Sequence, residues 1–261
     1  MRNIWKHSEL IKQLAFRDIA TRYKGSYLGV LWSVIIPFLM LTIYTFVFSV
    51  VFNARWNSGS TNKIEFALII FSGMIVYNLF SEVANRSPGL VVGNVNYVKK
   101  VVFPLHILPV SVVLSTIINM LISVAILIIG LLIFGFGLHW TALLFPLVLL
   151  PLILFVLGLS WILSSLGVYL RDIGHVVGVL TSALMFLSPI FYPVSSIPNE
   201  FQFFYKINPI SYVVEDTRQI LIWGNLPNYQ WIAIGTCLGL LFSFIGYKCF
   251  EKTRRGFADV L

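Results

Sequence analysis

The chain has 261 residues, of which 58% are hydrophobic and 11% charged, against about 45–50% and 25% in soluble domains. Water therefore cannot be the main solvent of this fold, and one membrane domain, residues 1–261, takes up the length. The formal charge of +8 does not argue for nucleic acid as a partner, because the basic residues sit beside hydrophobic runs, as the positive-inside rule requires.

Residues 1–28 form a polar segment with six Lys/Arg, and the first long apolar run begins near Gly29. No small-residue cleavage site follows that run, so no removable signal peptide is expected. Charge-free runs predict spans at Gly29–Phe52, Phe66–Phe80, Ile107–Phe136, Leu143–Tyr169, Val176–Tyr192 and Trp231–Phe250, since about 20 residues cross a core of about 30 Å. The expected fold is an all-α integral membrane protein: a six-helix bundle over 29–250 and a tail over 251–261.

The second run is short, and the pattern continues it through Glu82 and Arg86, whose i,i+4 spacing pairs them on one helical face near the interface. The third is too long for a perpendicular span and must tilt, kink near Pro109 or begin as an interfacial helix. Gly137 to Trp140 leaves only a tight turn before the fourth span, with Trp140 as an interfacial anchor. Between the fifth and sixth spans, Pro193, Pro198, Pro209 and Pro227 punctuate two amphipathic pieces, Phe201–Ile207 and Tyr212–Trp223. These read as short or re-entrant external helices, because irregular backbone at membrane depth persists only when buried in protein or lining a cavity. An interfacial loop with no gating role is the plainer alternative.

With six crossings, fourteen Lys/Arg lie on the side of the termini and four on the other, Arg55, Lys63, Lys206 and Arg218. That bias makes both termini cytoplasmic. No internal repeat is apparent, which disfavours inverted-repeat secondary transporters.

The spans are nearly free of acids and histidines, against an intramembrane glycosyl- or acyl-transferase and against proton-coupled transport. No His-Glu-x-x-His, Gly-x-Ser-x-Gly or phosphate-cradling Gly-x-x-x-x-Gly-Lys-Ser/Thr occurs. His7, His106, His139 and His175 are isolated in loops or at span ends, and Cys237 and Cys249 share the last run as packing residues. No metal site is expected.

Two stripes of hydroxyls and aromatics follow helical spacing: Phe38, Thr42, Thr45, Ser49 and Phe52 in the first span, and Thr181, Met185, Ser188 and Tyr192 in the fifth. Each can line a conduit for a hydroxyl-rich substrate or serve ordinary helix packing. Gly235, Gly239 and Ser243 form a small-residue packing face.

The stretch Arg17-Asp18-Ile-Ala-Thr-Arg22-Tyr-Lys-Gly-Ser-Tyr-Leu-Gly29 through Trp32 and Pro37 resembles the opening of type-2 ABC exporter permeases that serve polysaccharide export. The resemblance continues through Lys99-Lys100-Val-Val-Phe103-Pro104, Tyr169-Leu-Arg171-Asp172-Ile173, Ser188-Pro189-Ile-Phe-Tyr192 and Asn208-Pro209, in order along the whole chain. O-antigen exporters are the nearest group, with capsule and teichoic-acid exporters close behind, and drug or small-lipid export by the same fold as a rival.

The resemblance implies two permease copies with two separate nucleotide-binding subunits that hold ATP and Mg, this chain binding no cofactor itself. The substrate would be a lipid-linked polysaccharide, moved across the bacterial cytoplasmic (inner) membrane. It further implies an interfacial helix in Arg2–Lys24 along the cytoplasmic leaflet, although Asp18 interrupts its stripe of Ile11, Leu14, Ala15 and Ile19 and leaves contact with a partner protein as an equal alternative, and a cytoplasmic interface of Arg17, Asp18, Arg22, Arg171 and Asp172. It puts coupling to the ATPase at Asn94, Tyr97, Lys99, Lys100, Phe103 and Pro104, and an outer gate at Phe201, Phe204, Tyr205, Asn208 and Pro209. Membrane lipids are the remaining partners.

Overall fold

A computed structural model describes residues 7–22, 24–47, 63–99 and 103–261. Among them are helices and turns but no strand: α1 Ser8–Arg22, α2 Trp32–Tyr44, α3 Lys63–Arg86, α4 Val95–Val98, α5 Ile107–Ile133, α6 Phe145–Tyr169, α7 Ile173–Leu187, α8 Gln202–Ile207, α9 Pro209–Leu221, α10 Tyr229–Thr253 and α11 Phe257–Val260. Four stretches are long and apolar enough to cross a bilayer: Ile64–Arg86, Ile107–Ile133, Trp140–Tyr169 and Tyr229–Val260. Two shorter apolar helices, Trp32–Val47 and Ile173–Leu187, stand where the first and fifth spans were expected.

The second span is longer than its apolar run because Glu82 and Arg86 continue it as an ion pair, with Arg86 Nη1 3.2 Å from Glu82 Oε1. Pro109 does not kink the third. It lies in the first turn of α5, where a missing N–H breaks no intrahelical bond. With 15 residues, α7 rises about 22 Å, short of a hydrocarbon core of about 30 Å. The chain continues beyond it through Ser188, Pro189 and Ile190, all buried.

The hub of the bundle is α3, whose apolar window is 78% buried against 22% for that of α10. Its Leu68, Ile69, Ile70, Val76 and Val83 are sealed inside a core shared with α5, α6 and α9. A second core ties the α1 end of the bundle together: Ile11 and Leu14 meet Val91, Leu105, Trp161, Phe250 and Phe257. The closest helix pair is α6 with α10. A Cβ on Gly239 would lie 3.0 Å from the Pro151 carbonyl, and one on Gly246 would lie 2.3 Å from the carbonyl oxygen of Gly158. The expected small-residue face is therefore a packing face, and Gly246 extends it by a turn. Cys237 and Cys249 are exposed on α10 rather than packed, because the face that packs on α6 is the one the glycines occupy.

Candidate functional site

The functional geometry gathers at the two ends of the bundle. At the first, α1 docks through the stripe expected of it: Ile11, Leu14, Ala15 and Ile19 are buried, against α5 and the second core. Asp18 interrupts that stripe for a local reason. Its carboxylate accepts from Arg86 at 2.5 Å and from Ser115 of α5 at 2.7 Å, while Arg22 one turn on pairs with Glu82. Burial opposes ionisation of Asp18, but hydrogen bonds from Arg86 and Ser115 and the charges of Arg86 and Arg22 outweigh it, holding the carboxyl below its ordinary value. Two acids and two bases thus close a mutually neutral quartet that joins α1 to α3.

The loop after α3 is pinned by packing and by hydrogen bonds. Ser87 Oγ meets Ser160 Oγ at 2.7 Å, and a Cβ on Gly167 of α6 would lie 2.0 Å from the Pro88 carbonyl oxygen, so only glycine lets the loop pass there. A 3-10 turn, Val92–Asn94, leads into α4, and Asn94 is spent on the Leu90 carbonyl at 2.9 Å. Tyr97 and Phe103 stack with ring centroids 4.2 Å apart and planes 8° apart. Arg17 of α1 donates to the Tyr97 hydroxyl at 2.6 Å. Residues read separately as cytoplasmic interface and as coupling loop are therefore one assembly. Lys99 is exposed beside it and Pro104 half-buried, and Lys100 lies outside the described residues. Arg171 and Asp172 are exposed on the α6–α7 turn, apart from the quartet. Nearby, His106 Nδ1 lies 3.2 Å from Glu251. Burial pushes the imidazole down against the pull of Glu251.

At the other end, Asn208 caps α9 by accepting from Ile210 N at 3.0 Å, with Pro209 at the first helical position. That is the favoured chemistry at both places. The Asn208 amide also donates to Ser188 Oγ at 2.9 Å, and the Tyr192 hydroxyl meets that of Tyr205. Four of the expected outer-gate and conduit residues are thus joined in pairs. Phe201 and Phe204 are exposed. The feature missed from sequence is Arg218, counted there as an external loop charge. It is fully buried and donates to the carbonyls of Pro189 at 2.6 Å, Ile190 at 2.7 Å and Ile69 at 3.3 Å. Removing it from the external count sharpens the charge bias. Little in the sequence signals this, because Glu215, Asp216 and Gln219 surround it and it reads as one charge among several on an amphipathic piece.

In the first-span stripe, Phe38 and Thr42 are exposed and Thr45 half-buried, with both threonines bonded back to Phe38 and Leu41 carbonyls. Ser49 and Phe52 lie outside the described residues. In the fifth, Thr181 is buried against Asn85, Ser188 is fully buried and Met185 half-buried.

These elements define a polytopic helical membrane protein with a helix docked at one end and a pair of short helices at the other. Residues 9–222 match the ABC-2 type transporter family, and the chain belongs to that family. It is 28% identical over 254 residues to the O-antigen export system permease protein RfbA of Klebsiella pneumoniae, covering 97% of this chain and 95% of that one. It is 27% identical over 261 residues to RfbA of Myxococcus xanthus, covering 99% and 98%. The polysialic acid transport protein KpsM of Escherichia coli is 25% identical over 248 residues, covering 93% of each.

Proposed function

We propose that this chain is the membrane-spanning permease subunit of an ATP-driven exporter that moves a lipid-linked polysaccharide of the O-antigen type across the bacterial cytoplasmic membrane. The observation that carries this reading is similarity over nearly the whole chain to O-antigen export permeases, in a family of transporters. Two copies would pair with two ATPase subunits, which hold ATP and Mg. With both termini cytoplasmic, the Arg17–Tyr97–Phe103 assembly faces those subunits, and nucleotide-driven closure there is passed through Ser87 and the quartet to α3 and α6. The α8–α9 pair stands at the outer mouth.

Deleting the gene should remove the surface polysaccharide while its lipid-linked form accumulates inside, and the affinity-purified chain should bring down an ATPase. Loss of capsule with intact O-antigen would move the substrate to the class named for the polysialic acid relative. Unchanged surface polymers, with no ATPase recovered, would overturn the reading.

A further inference from the structure

A groove of about 380 Å³ runs along α10, between that helix, α6 and α9. Its size falls within the roughly 300–1,000 Å³ of small-molecule sites. Gly235 and Gly239 add no side chains to fill it, and Trp231, Leu238 and Ile245 follow one another along its length. From Trp231 to Ile245 a helix rises about 21 Å, more than half of a hydrocarbon core of about 30 Å. Leu238 and Ile245 are exposed within the bilayer-crossing stretch Tyr229–Val260, so this part of the groove opens on acyl chains and not on water.

The other end of the groove carries a charge. There α10 doubles back along α9: the Tyr212 ring stacks on that of Trp231 with centroids 4.4 Å apart, an aromatic pair of the kind that marks the headgroup level. One turn further along α9, Asp216 lines the same groove at 8% exposure. Its Oδ1 accepts from the Asn228 backbone N–H at 3.1 Å. The other oxygen takes no hydrogen bond and is not sealed off. Among the described residues no cation pairs with this carboxylate, and the charge acting on it is another acid, Glu215. A largely buried carboxylate held by one backbone bond and lacking a counter-charge is costly, so its presence calls for a cation.

We propose that this groove seats one phospholipid with a primary-amine headgroup, a phosphatidylethanolamine, its acyl chain along α10 and its ammonium on Asp216. Charge complementarity selects the headgroup. A primary ammonium brings a positive charge and three N–H donors to the open carboxylate oxygen, as a lysine would. A choline headgroup brings the charge without a donor, and phosphatidylglycerol brings a net negative charge that the acid repels. The inference stands on the fold and does not depend on which polymer is exported.

The full chain, delipidated in detergent, is titrated by native mass spectrometry with phosphatidylethanolamine, phosphatidylcholine and phosphatidylglycerol carrying the same acyl chains. A phosphatidylethanolamine with a diazirine in its acyl chain then maps the site. Phosphatidylethanolamine should bind most tightly, with photo-adducts on α10 around Leu238–Ile245. Asp216→Asn keeps an acceptor for the Asn228 N–H and removes the charge. It should weaken phosphatidylethanolamine about tenfold, the least that loss of a charge-assisted hydrogen bond costs, and erase the preference over phosphatidylcholine. Leu238→Trp fills the groove from an exposed position, so it should displace all three lipids and remove the adducts. Thermal melting checks that each variant folds. Should Asp216→Asn not fold, the headgroup ranking of the unmodified chain and the loss of adducts in Leu238→Trp decide the same question. Equal binding of the three headgroups, unchanged in Asp216→Asn, would overturn the proposal and leave Asp216 as a tie between α9 and α10. Adducts on α10 that form only after the chain is driven to a monomer would overturn it as well, giving the groove to a second copy.

Discussion

The Arg218 guanidinium donates to the Ile190 carbonyl at 2.7 Å, so a charge in the last turn of α9 holds the backbone that follows α7. The same side chain reaches Pro189 and, in α3, Ile69. It supplies the donors that irregular backbone needs where water is absent.

Replacing Arg218 by Leu should therefore cost about 1–3 kcal/mol for each carbonyl left without a donor, seen as a large fall in melting temperature in detergent. Arg218→Lys should recover part of it. Gly73→Ala alone should destabilise too, since its Cβ would lie 2.8 Å from Arg218 Nη2. Combined with Arg218→Leu it should add little, because the clash has gone. Additive losses in the double variant would show that the two positions do not share this contact.

The quartet predicts how α1 docking responds to pH. The Asp18 carboxyl is held below its ordinary value, so its contribution is fully present above that ordinary value and fades as pH falls through the lowered one. Hydrogen exchange of α1 amides should be flat in stability terms between about pH 5 and 8. Asp18→Arg should free the helix at every pH, since like-charge juxtaposition is strongly unfavourable, and adding Arg86→Asp should restore protection. A protection step near neutral pH in the unmodified protein would mean that another group governs docking.

What the sequence made legible was set by chemistry that repeats locally. Charge-free runs located the long helices, and the Glu82–Arg86 spacing extended α3 to its end, because both signals are carried by near neighbours. Pro209 marked the break between the two amphipathic pieces, while Asn208 beside it was singled out only through a resemblance. Links between distant residues were not readable. Nothing near Asp18 in the chain announces Ser115, and nothing near Arg218 announces Ile69.

Close backbone approach gives a third test with an internal control. A Cβ at Gly246 would stand 2.3 Å from the Gly158 carbonyl oxygen, and one at Gly167 would stand 2.0 Å from that of Pro88. Neither neighbour is a flexible side chain that can move aside. Gly246→Ala and Gly167→Ala should each cost about 1–3 kcal/mol or more by overpacking, lowering membrane abundance and melting temperature. Gly174→Ala, whose nearest neighbour is a Pro88 side-chain atom at 3.9 Å, should be neutral or stabilising by up to about 1 kcal/mol. Equal behaviour of the three would refute the close approach.

The conduit proposal can now be tested at two positions that differ in structure. Thr42 is exposed on α2 in the single chain, so if its stripe lines a water-filled conduit, a cysteine there should react with a small water-soluble thiol reagent in the assembled transporter whether or not ATP is present. Ser188 is fully buried and accepts from Asn208 at 2.9 Å, so a cysteine there should be protected at rest. If α8 and α9 swing away during transport, it should become reactive only under ATP turnover, and its modification should then stop export. The background must carry Cys237→Ala and Cys249→Ala, because both native thiols are exposed. Loss of export on substitution alone decides nothing, since a charge at the bilayer centre already costs about 2.5–3.5 kcal/mol on insertion. The reagent isolates access from folding, because it acts on a complex already assembled. Absence of labelling at both positions in every nucleotide state would return the two stripes to helix packing and place the polymer's path elsewhere in the dimer.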